Sequence, residues 1–126
     1  MATRLNKQVL DGTMETILLS LLCEGESYGY QIVEDLNARG GGLLELGEGT
    51  VYPVLHRLES RGLIAATWRR GQKTGRERKY YRITAAGRRK LAENRSQWAG
   101  LVELMDRVSK PTSLPGGAIT LDGGMV

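Results

Sequence analysis

Residues 47–62 have the sequence GEGTVYPVLHRLESRG, which predicts a short helix with two unlike faces. At about 100° per residue, one face is apolar and consists of Val51, Val54, Leu55 and Leu58. The opposite face is polar and consists of Pro53, His56, Arg57 and Ser60, with Thr50 and Tyr52 at its edges. Because a proline is tolerated near a helix start, Pro53 places that start at Glu48 or Gly49. Gly62 is expected to end the helix, and the polar face suits a groove.

Two more helices and a brief strand are predicted before this segment. The first helix is capped by Thr13, and its apolar positions recur at helical spacing: Met14, Ile17, Leu18, Leu21 and Leu22. Ser27 is expected to cap the second helix, which the glycines at 40–42 end. Leu43, Leu44 and Leu46 predict the brief strand. Gly47 then opens the third helix, with Glu48 in its first turn.

A basic hairpin and a long helix are predicted after this segment. The hairpin has strands at Leu63–Trp68 and Arg78–Ile83, and its alternation places Tyr80 and Tyr81 on opposite faces. One of the two tyrosines is therefore expected to pack inward. Thr84 caps the long helix, and Pro111 ends it. Apolar residues of that helix predict a seam like that of a coiled coil, made of Leu91, Trp98, Leu101, Val102, Met105 and Val108.

The order of these elements predicts a mainly α fold with a small β-hairpin, namely a winged helix-turn-helix domain followed by a long C-terminal dimerisation helix. We assign residues 13–83 to the domain, residues 1–12 to an N-terminal arm, residues 84–110 to the dimerisation helix and residues 111–126 to a flexible tail. A small core leaves an apolar helix face uncovered, which favours self-association. In this fold the third helix enters the major groove of DNA and the hairpin is the wing.

The charge of the chain is concentrated in one segment. The 126 residues carry a net charge of +4, but residues 69–90 contain ten basic residues against Glu77 alone and so carry +9. The rest of the chain carries −5. Charge gathered in one place indicates a polyanionic partner, since charge that serves solubility is spread over a surface. A solvated basic loop is the alternative.

The composition argues against an enzyme, a metalloprotein and a membrane protein. With one cysteine, Cys23, and one histidine, His56, the usual metal and nucleophile constellations are absent, so no catalytic residue, metal or cofactor is predicted. We interpret Cys23 as a buried apolar residue, with a redox switch as the alternative. The longest apolar run, Ile17–Cys23, is too short for a membrane span, and residues 1–10 have no signal-peptide core. A cytoplasmic protein is therefore expected.

Four stretches of the sequence resemble the PadR family of bacterial transcriptional regulators. They are Ser27–Ile32 (SYGYQI), Gly49–Glu59 (GTVYPVLHRLE), Gly62–Ile64 (GLI) and Lys79–Gly87 (KYYRITAAG). The resemblance extends from Met14 to Met105, and the single long C-terminal helix is similar to that of the short subfamily. It implies a homodimeric repressor that binds a pseudo-palindromic operator in double-stranded DNA and is released by a small-molecule effector.

Individual residues are assigned to this DNA-binding role. The residues expected to face the groove are Thr50, Tyr52, Pro53 and His56, with Arg57 reaching a phosphate or a base edge. Those expected to hold the adjacent backbone or minor groove from the wing are Lys73, Arg76 and Arg78. Tyr28 and Tyr30, at the start of the second helix, are expected to add hydroxyl contacts to phosphate. The alternative for Tyr52 is that it covers the edge of the core.

The long helix and the class of function each admit two interpretations. Multidrug-binding relatives carry a tryptophan at a place that matches Trp98, where two subunits stack a planar aromatic compound, so Trp98 is a candidate effector site. The alternative is that Trp98 only packs the dimer. Arg88, Arg89 and Lys90 bind an anion or form a solvated face. A winged-helix module that binds another protein remains a second function, although its wing is expected to be neutral or acidic.

Overall fold

The computed structural model describes residues 5–71, 73 and 75–109 of the chain. The chain divides between Asn94 and Arg95 into two compact units. The helices and strands follow in the order α1 (Lys7–Cys23), β1 (Ser27–Tyr28), α2 (Gly29–Gly40), α3 (Glu48–Ser60), β2 (Ile64–Arg70), β3 (Glu77–Ile83) and α4 (Ala85–Ser109). This architecture confirms the predicted mainly α fold with a small β-hairpin. The predicted end of the last helix at Pro111 and the tail at 111–126 lie outside the described residues.

Helix α1 begins earlier than the sequence predicted. Its N-cap is Asn6, whose side chain accepts a hydrogen bond from the backbone N–H of Val9 at 3.1 Å. The predicted cap, Thr13, is wrong: it lies inside the helix, where its hydroxyl donates to the Val9 carbonyl at 3.0 Å. Asparagine and threonine are both good N-caps, and the buried Leu10 extends the apolar stripe one turn toward the N-terminus. Part of the predicted arm is therefore helical.

The sheet has three strands in the order β1-β3-β2, and its edge strand was not predicted. Ser27 pairs with Tyr81 and Tyr28 with Tyr80, both antiparallel. The predicted cap at Ser27 is wrong, because that residue is in β1, and Tyr28 precedes α2 as an extended N-cap with no side-chain hydrogen bond. A two-residue strand has no periodicity to recognise, so only its partner strand defines it.

The predicted strand at residues 43–46 is also wrong. This segment has no strand, and Leu46 is buried with its backbone hydrogen-bonded to a side chain instead. Asn37 accepts from the Leu46 N–H at 2.7 Å and donates to the Leu46 carbonyl at 2.8 Å. One amide side chain thus occupies both backbone groups that a neighbouring strand would need. Helix α2 ends as predicted, with Gly41 left-handed at φ 53°.

Strands β2 and β3 form the predicted hairpin, with Ile64 opposite Ile83 and Arg70 opposite Glu77. Tyr81 is buried and Tyr80 is only half-buried, which confirms that one tyrosine packs inward. Tyr81 and Ile83 therefore define the inner face of the sheet, which joins the core beneath α1 and α3.

Helix α3 begins and ends where the sequence predicted. Gly47 is its N-cap, and Glu48 lies in its first turn. At its end the N–H of Gly62 donates to the Glu59 carbonyl at 3.0 Å and the N–H of Leu63 to the Leu58 carbonyl at 2.9 Å. These two bonds, with Gly62 left-handed at φ 73°, are a Schellman motif. Pro53 is the sixth residue of the helix, in agreement with the predicted start at Glu48 or Gly49.

The start of α4 is fastened to the base of the hairpin. Thr84 caps the helix as predicted, because its hydroxyl oxygen accepts from the Gly87 N–H at 3.1 Å. The same hydroxyl donates to the Gly62 carbonyl at 2.7 Å, and the Thr84 N–H donates to the Leu63 carbonyl at 3.1 Å. Gly87 is buried there, and a Cβ on it would overlap the Leu63 carbonyl oxygen and lie 2.7 Å from Ile83 Cγ1.

Replacing Gly87 with alanine should therefore destabilise the fold although it improves helix propensity. We expect Gly87→Ala to lower the free energy of unfolding by about 1–3 kcal/mol, the range for overpacking a tight site. Gly12→Ala is the matched control, since Gly12 is inside α1 and a Cβ there meets no atom within 4 Å. That control should gain about 0.5–1 kcal/mol from the helix preference for alanine. Urea unfolding of both variants measures the difference, and equal effects would contradict the close packing at Gly87.

Candidate nucleic-acid interface

The outward face of α3 is a continuous polar surface. Its apolar side chains Val51, Val54, Leu55 and Leu58 are all buried in the core. The side chains that the sequence placed opposite are exposed: Thr50, Pro53, His56, Arg57 and Ser60. Helical geometry puts these five on one arc, so the structure brings four of the predicted groove-facing residues together. A polar helix face of this kind can enter the DNA major groove, which is wide enough to admit an α-helix.

Tyr52 differs from the other residues assigned to the groove. It is half-buried and packs against the core. A Cβ on Gly29 would lie 2.6 Å from the Tyr52 ring, so the tyrosine lies against the first residue of α2, where only glycine leaves room. Burial, together with the negative charge of Glu48, raises the pKa of Tyr52. This position favours the alternative that Tyr52 covers the edge of the core.

Three contacts fix the orientation of α3. The Asn37 amide holds the turn one residue before the helix N-cap. Near the other end, Arg61 forms an ion pair with Glu15 of α1 at 2.8 Å. Lys79 of β3 donates to the Glu59 carboxylate at 3.0 Å, and this hydrogen bond raises the pKa of Lys79. Two basic residues, Arg61 and Lys79, thus hold the C-terminal end of α3 in place, a role that the sequence did not predict for Lys79.

A recess beside α3 adds residues from α1 to the same surface. It is lined by Asp11, Met14, Gly49, Thr50, Pro53, Val54 and Arg57. Asp11 and Met14 were not among the predicted site residues. They lie close to α3 because the two helices pack together, and this packing leaves no pattern in the sequence. The recess shows that the N-terminal half of α1 borders the exposed arc of α3.

The wing is a tight basic loop at the end of the hairpin. The Gly71 N–H donates to the Arg76 carbonyl at 2.8 Å, and the Gly75 N–H donates to the Gly71 carbonyl at 2.9 Å. Gly75 takes a left-handed conformation at φ 68°, which a side chain would strain. Lys73 and Arg76 are exposed at this loop, as a DNA-contacting wing requires.

Arg78 and Tyr28 lie together on the outer face of the sheet. The Arg78 guanidinium is 4.4 Å from the centre of the Tyr28 ring. The Tyr28 hydroxyl is 3.5 Å from Oε1 of Gln31, and its ring meets Tyr80 edge to face, with centroids 5.4 Å apart. Arg69, to which the sequence pattern assigned no role, stacks on Tyr80 at 4.0 Å. Tyr28 thus contacts an arginine through its ring in addition to any contact of its hydroxyl.

Tyr30 lies on the exposed side of α2 and is separate from this group. It is 54% exposed, and a hydrogen bond to the Glu34 carboxylate raises the pKa of its hydroxyl. The negative charge of Glu48 also raises this pKa, by less than Glu34 does. A hydroxyl that already donates to a carboxylate is poorly placed to donate to a phosphate, so the geometry gives the Tyr30 assignment less support than the others.

Two of the three basic residues at positions 88–90 have contacts within the described part of the chain. Arg88 donates to the sulfur of Cys23 at 3.2 Å, and Lys90 pairs with Glu93 at 3.0 Å. Cys23 is partly buried and packs against the core, as the interpretation of an apolar residue predicted. Arg88 and Lys90 therefore each have a partner within the chain and are not simply solvated cations.

The predicted helix seam is corrected at one position. Leu91 is buried in the core of its own unit, so it is not available to a second subunit. In the second unit the other seam residues are all exposed, namely Trp98, Leu101, Val102, Met105 and Val108. Leu104, which was not predicted, is 56% exposed beside them. These residues form an apolar surface on α4 that its own unit does not cover.

The described residues contain no group of three or more His, Cys, Asp or Glu side chains that could hold a metal ion. Over the same part of the chain, no helix has the length and apolar character needed to cross a bilayer.

A three-helix domain with an outward polar α3 and a basic wing defines a winged-helix DNA-binding regulator of transcription. The chain belongs to the transcriptional regulator PadR-like family, whose model matches residues 18–93. Members of this family are transcription factors rather than enzymes, and membership implies DNA binding.

Similar proteins are known in several bacteria. The transcriptional regulator Rv3488 of Mycobacterium tuberculosis is 37% identical over 78 residues, which are 62% of this chain and 68% of that protein. A transcriptional regulator from Clostridium thermocellum has a solved structure that is 33% identical, with a TM-score of 0.75 over 84% of this chain and 99% of its own. A PadR family transcriptional regulator from Eggerthella lenta is 36% identical, with a TM-score of 0.72 over 82% of this chain and 87% of its own.

The double hydrogen bond of Asn37 to Leu46 should be important for the position of α3. Asn37→Ala leaves a buried N–H and C=O without this partner, and we expect a loss of about 1–3 kcal/mol in the free energy of unfolding. Asn94→Ala removes the same amide from α4, where it makes no hydrogen bond within the described part of the chain, and should cost little. Urea unfolding distinguishes the two variants. Equal stability of both would show that the Asn37 amide does not hold the turn.

Proposed function

We propose that this chain is a homodimeric repressor that binds a specific pseudo-palindromic operator and is released by a small-molecule effector. The observation that carries the proposal is the exposed polar arc of α3, held outward by four buried apolar side chains on the same helix. The same domain carries a basic wing, and its family implies DNA binding. A polyanion that meets both surfaces at once fits their common charge.

The sequence-reading part of the proposal falls on α3. Thr50 and His56 donate or accept hydrogen bonds, and Pro53 gives an apolar contact, so together they can distinguish base edges in the major groove. Arg57 reaches either a guanine or a phosphate, and both contacts are bidentate for a guanidinium. We leave Tyr52 out of this set because it packs against Gly29 and the core.

The positioning part of the proposal falls on the wing. Lys73, Arg76 and Arg78 would contact phosphates or the minor groove next to the site of α3. Such contacts release counterions from DNA, so they contribute affinity that falls steeply as the salt concentration rises. They carry no sequence information, which separates their effect from that of α3.

The dimeric part of the proposal falls on α4. The exposed apolar surface made of Trp98, Leu101, Val102, Met105 and Val108 is suited to a second copy of itself, because aligned seams of this spacing pack as coiled coils. A two-fold axis would present two α3 helices to half-sites about 34 Å apart, one turn of DNA.

We propose that a planar aromatic effector binds at Trp98. Its binding would weaken the complex with DNA, which the electrophoretic shift described below would measure.

Substitutions on α3 and on the wing should weaken DNA binding in different ways. We expect His56→Ala and Arg57→Ala to weaken binding to the DNA upstream of the gene more than binding to an unrelated duplex, by about 1–3 kcal/mol for each hydrogen-bonded base that the variant no longer reads. Lys73→Ala should weaken both duplexes alike and lower the slope of log K against log salt by about 1. Electrophoretic shift and fluorescence anisotropy across a KCl series measure both effects.

The control for this experiment is Arg39→Ala. Arg39 is near the end of α2 and pairs with Glu24 at 2.6 Å, so its loss changes the net charge without touching α3 or the wing. It should leave specificity unchanged. Failure of the wild-type protein to bind any double-stranded DNA at low salt would overturn the proposed function.

A charge placed in the α4 seam should separate the subunits. We expect wild-type protein to have twice the chain mass in light scattering, and Met105→Glu to have the mass of one chain, because burying an unpaired carboxylate in an apolar interface is costly. Ser96→Glu is the control: Ser96 is exposed on the same helix but on the side opposite Trp98. It should remain a dimer. A wild-type monomer at micromolar concentration would contradict this part of the proposal.

A further inference from the structure

The outer face of the sheet carries more arginine and tyrosine than the wing loop does. In an antiparallel ladder, residues directly opposite each other share a face. Arg69 lies opposite Arg78, and Tyr80 lies opposite both Thr67 and Tyr28. Tyr81, the neighbour of Tyr80, is buried on the inner face, so these residues point outward. We name the set Tyr28, Arg69, Arg78 and Tyr80 the arginine–tyrosine face.

The two arginines of this face are held by the two rings. Arg69 lies 4.0 Å from the Tyr80 centroid, and Arg78 lies 4.4 Å from the Tyr28 centroid. The rings support each other edge to face, with an interplanar angle of 70°. A guanidinium that stacks through its flat surface keeps its N–H groups directed sideways, where oxygen acceptors can reach them. The stacking therefore orients the donors before any partner arrives.

The charges of this face are only partly balanced within the chain. Like charges directly opposite each other on neighbouring strands are destabilising, and Arg69 and Arg78 are such a pair. Arg69 forms an ion pair with Glu26. Among the described residues, no carboxylate is within ion-pair distance of Arg78. Arg82, on the same face, donates to the Thr67 hydroxyl at 3.3 Å and brings a third positive charge. An added anion would offset this repulsion.

We infer that the arginine–tyrosine face binds the phosphate backbone of DNA, with Arg69 and Arg78 as the contacting residues and Tyr28 and Tyr80 as positioning residues that hold them. The inference rests on the proposed DNA binding. Phosphate matches the planar donor fork of arginine. The face is also continuous along β2 and β3 with the wing loop and its exposed Lys73, so one backbone strand can follow both.

Salt-dependent DNA binding tests this inference. Using fluorescence anisotropy with an unrelated duplex and with the upstream DNA, we expect Arg69→Ala and Arg78→Ala each to weaken binding to both duplexes about tenfold. Each should lower the slope of log K against log salt by about 0.9 per subunit, the value for one phosphate. Arg39→Ala, the charge-matched control on α2, should do neither.

The tyrosines are tested without changing the charge. Tyr80→Leu should weaken DNA binding, whereas Tyr80→Phe, which keeps the ring, should bind DNA as the wild-type protein does. If Tyr80 acts through Arg69, the double variant Tyr80→Leu with Arg69→Ala should bind no worse than Arg69→Ala alone. If the losses of DNA affinity in the two single variants add up in the double variant, the positioning role of Tyr80 is overturned. Circular dichroism establishes that each variant is folded.

If Tyr80→Leu does not fold, Arg69→Lys and Arg78→Lys replace it as the test variants. They keep the positive charge and remove the planar guanidinium fork.

The result separates this inference from the proposed function. Wild-type protein that binds no DNA contradicts both. Wild-type binding that depends on Arg57, Lys73 and salt, but is unchanged in Arg69→Ala and Tyr80→Leu, overturns only the role of the arginine–tyrosine face.

Discussion

The burial of one side of α3 is the constraint on which the rest of the structure depends. Val51, Leu55 and Leu58 are fully buried and Val54 is nearly so. Each buried side chain of this size contributes about 1.5–3 kcal/mol, so rotating the helix about its axis would both expose these groups and bury Arg57. The apolar side thereby determines which side chains face outward. Stability of the fold and presentation of the polar arc have the same physical cause.

The basic residues of the chain serve two purposes that composition does not separate. Lys79 reaches Glu59, and Arg61 reaches Glu15, so each fastens α3 to a neighbouring element. Partly exposed ion pairs of this kind contribute little stability, and their effect is mainly on orientation. Lys73, on the wing loop, is exposed to solvent. The concentration of charge between residues 69 and 90 is thus divided between internal bracing and an outward surface.

Glycines mark the places where elements approach too closely for a side chain. Gly29 leaves room for the Tyr52 ring, and Gly87 leaves room for the Leu63 carbonyl at the base of the hairpin. Through these contacts α3 is packed against α2 at one end, and the hairpin against the start of α4 at the other. Tyr52 is consequently a packing residue of the helix pair, although its place in the sequence, between Val51 and Pro53, resembles that of a groove-facing residue.

Local patterns in the sequence were sufficient for the long elements. Helix α3 was predictable because its apolar spacing is regular and because Gly47 and Gly62 bracket it, and the hairpin because its alternation is interrupted by a glycine-containing polar turn. The cap of α1 was misplaced because Asn6 and Thr13 are both acceptable caps, and only the packing of Leu10 selects the first.

The sequence by itself determined the fold class, the outward residues of α3 and the basic wing, since each follows from periodicity or from charge along a continuous segment. Only the tertiary structure decided the pairing of β1 with β3, the fastening of Leu46 by Asn37, the burial of Leu91 and the stacking of Arg69 and Arg78 on two tyrosines. The reason is that these contacts join residues distant in the chain, and neither partner carries a local pattern that specifies the other.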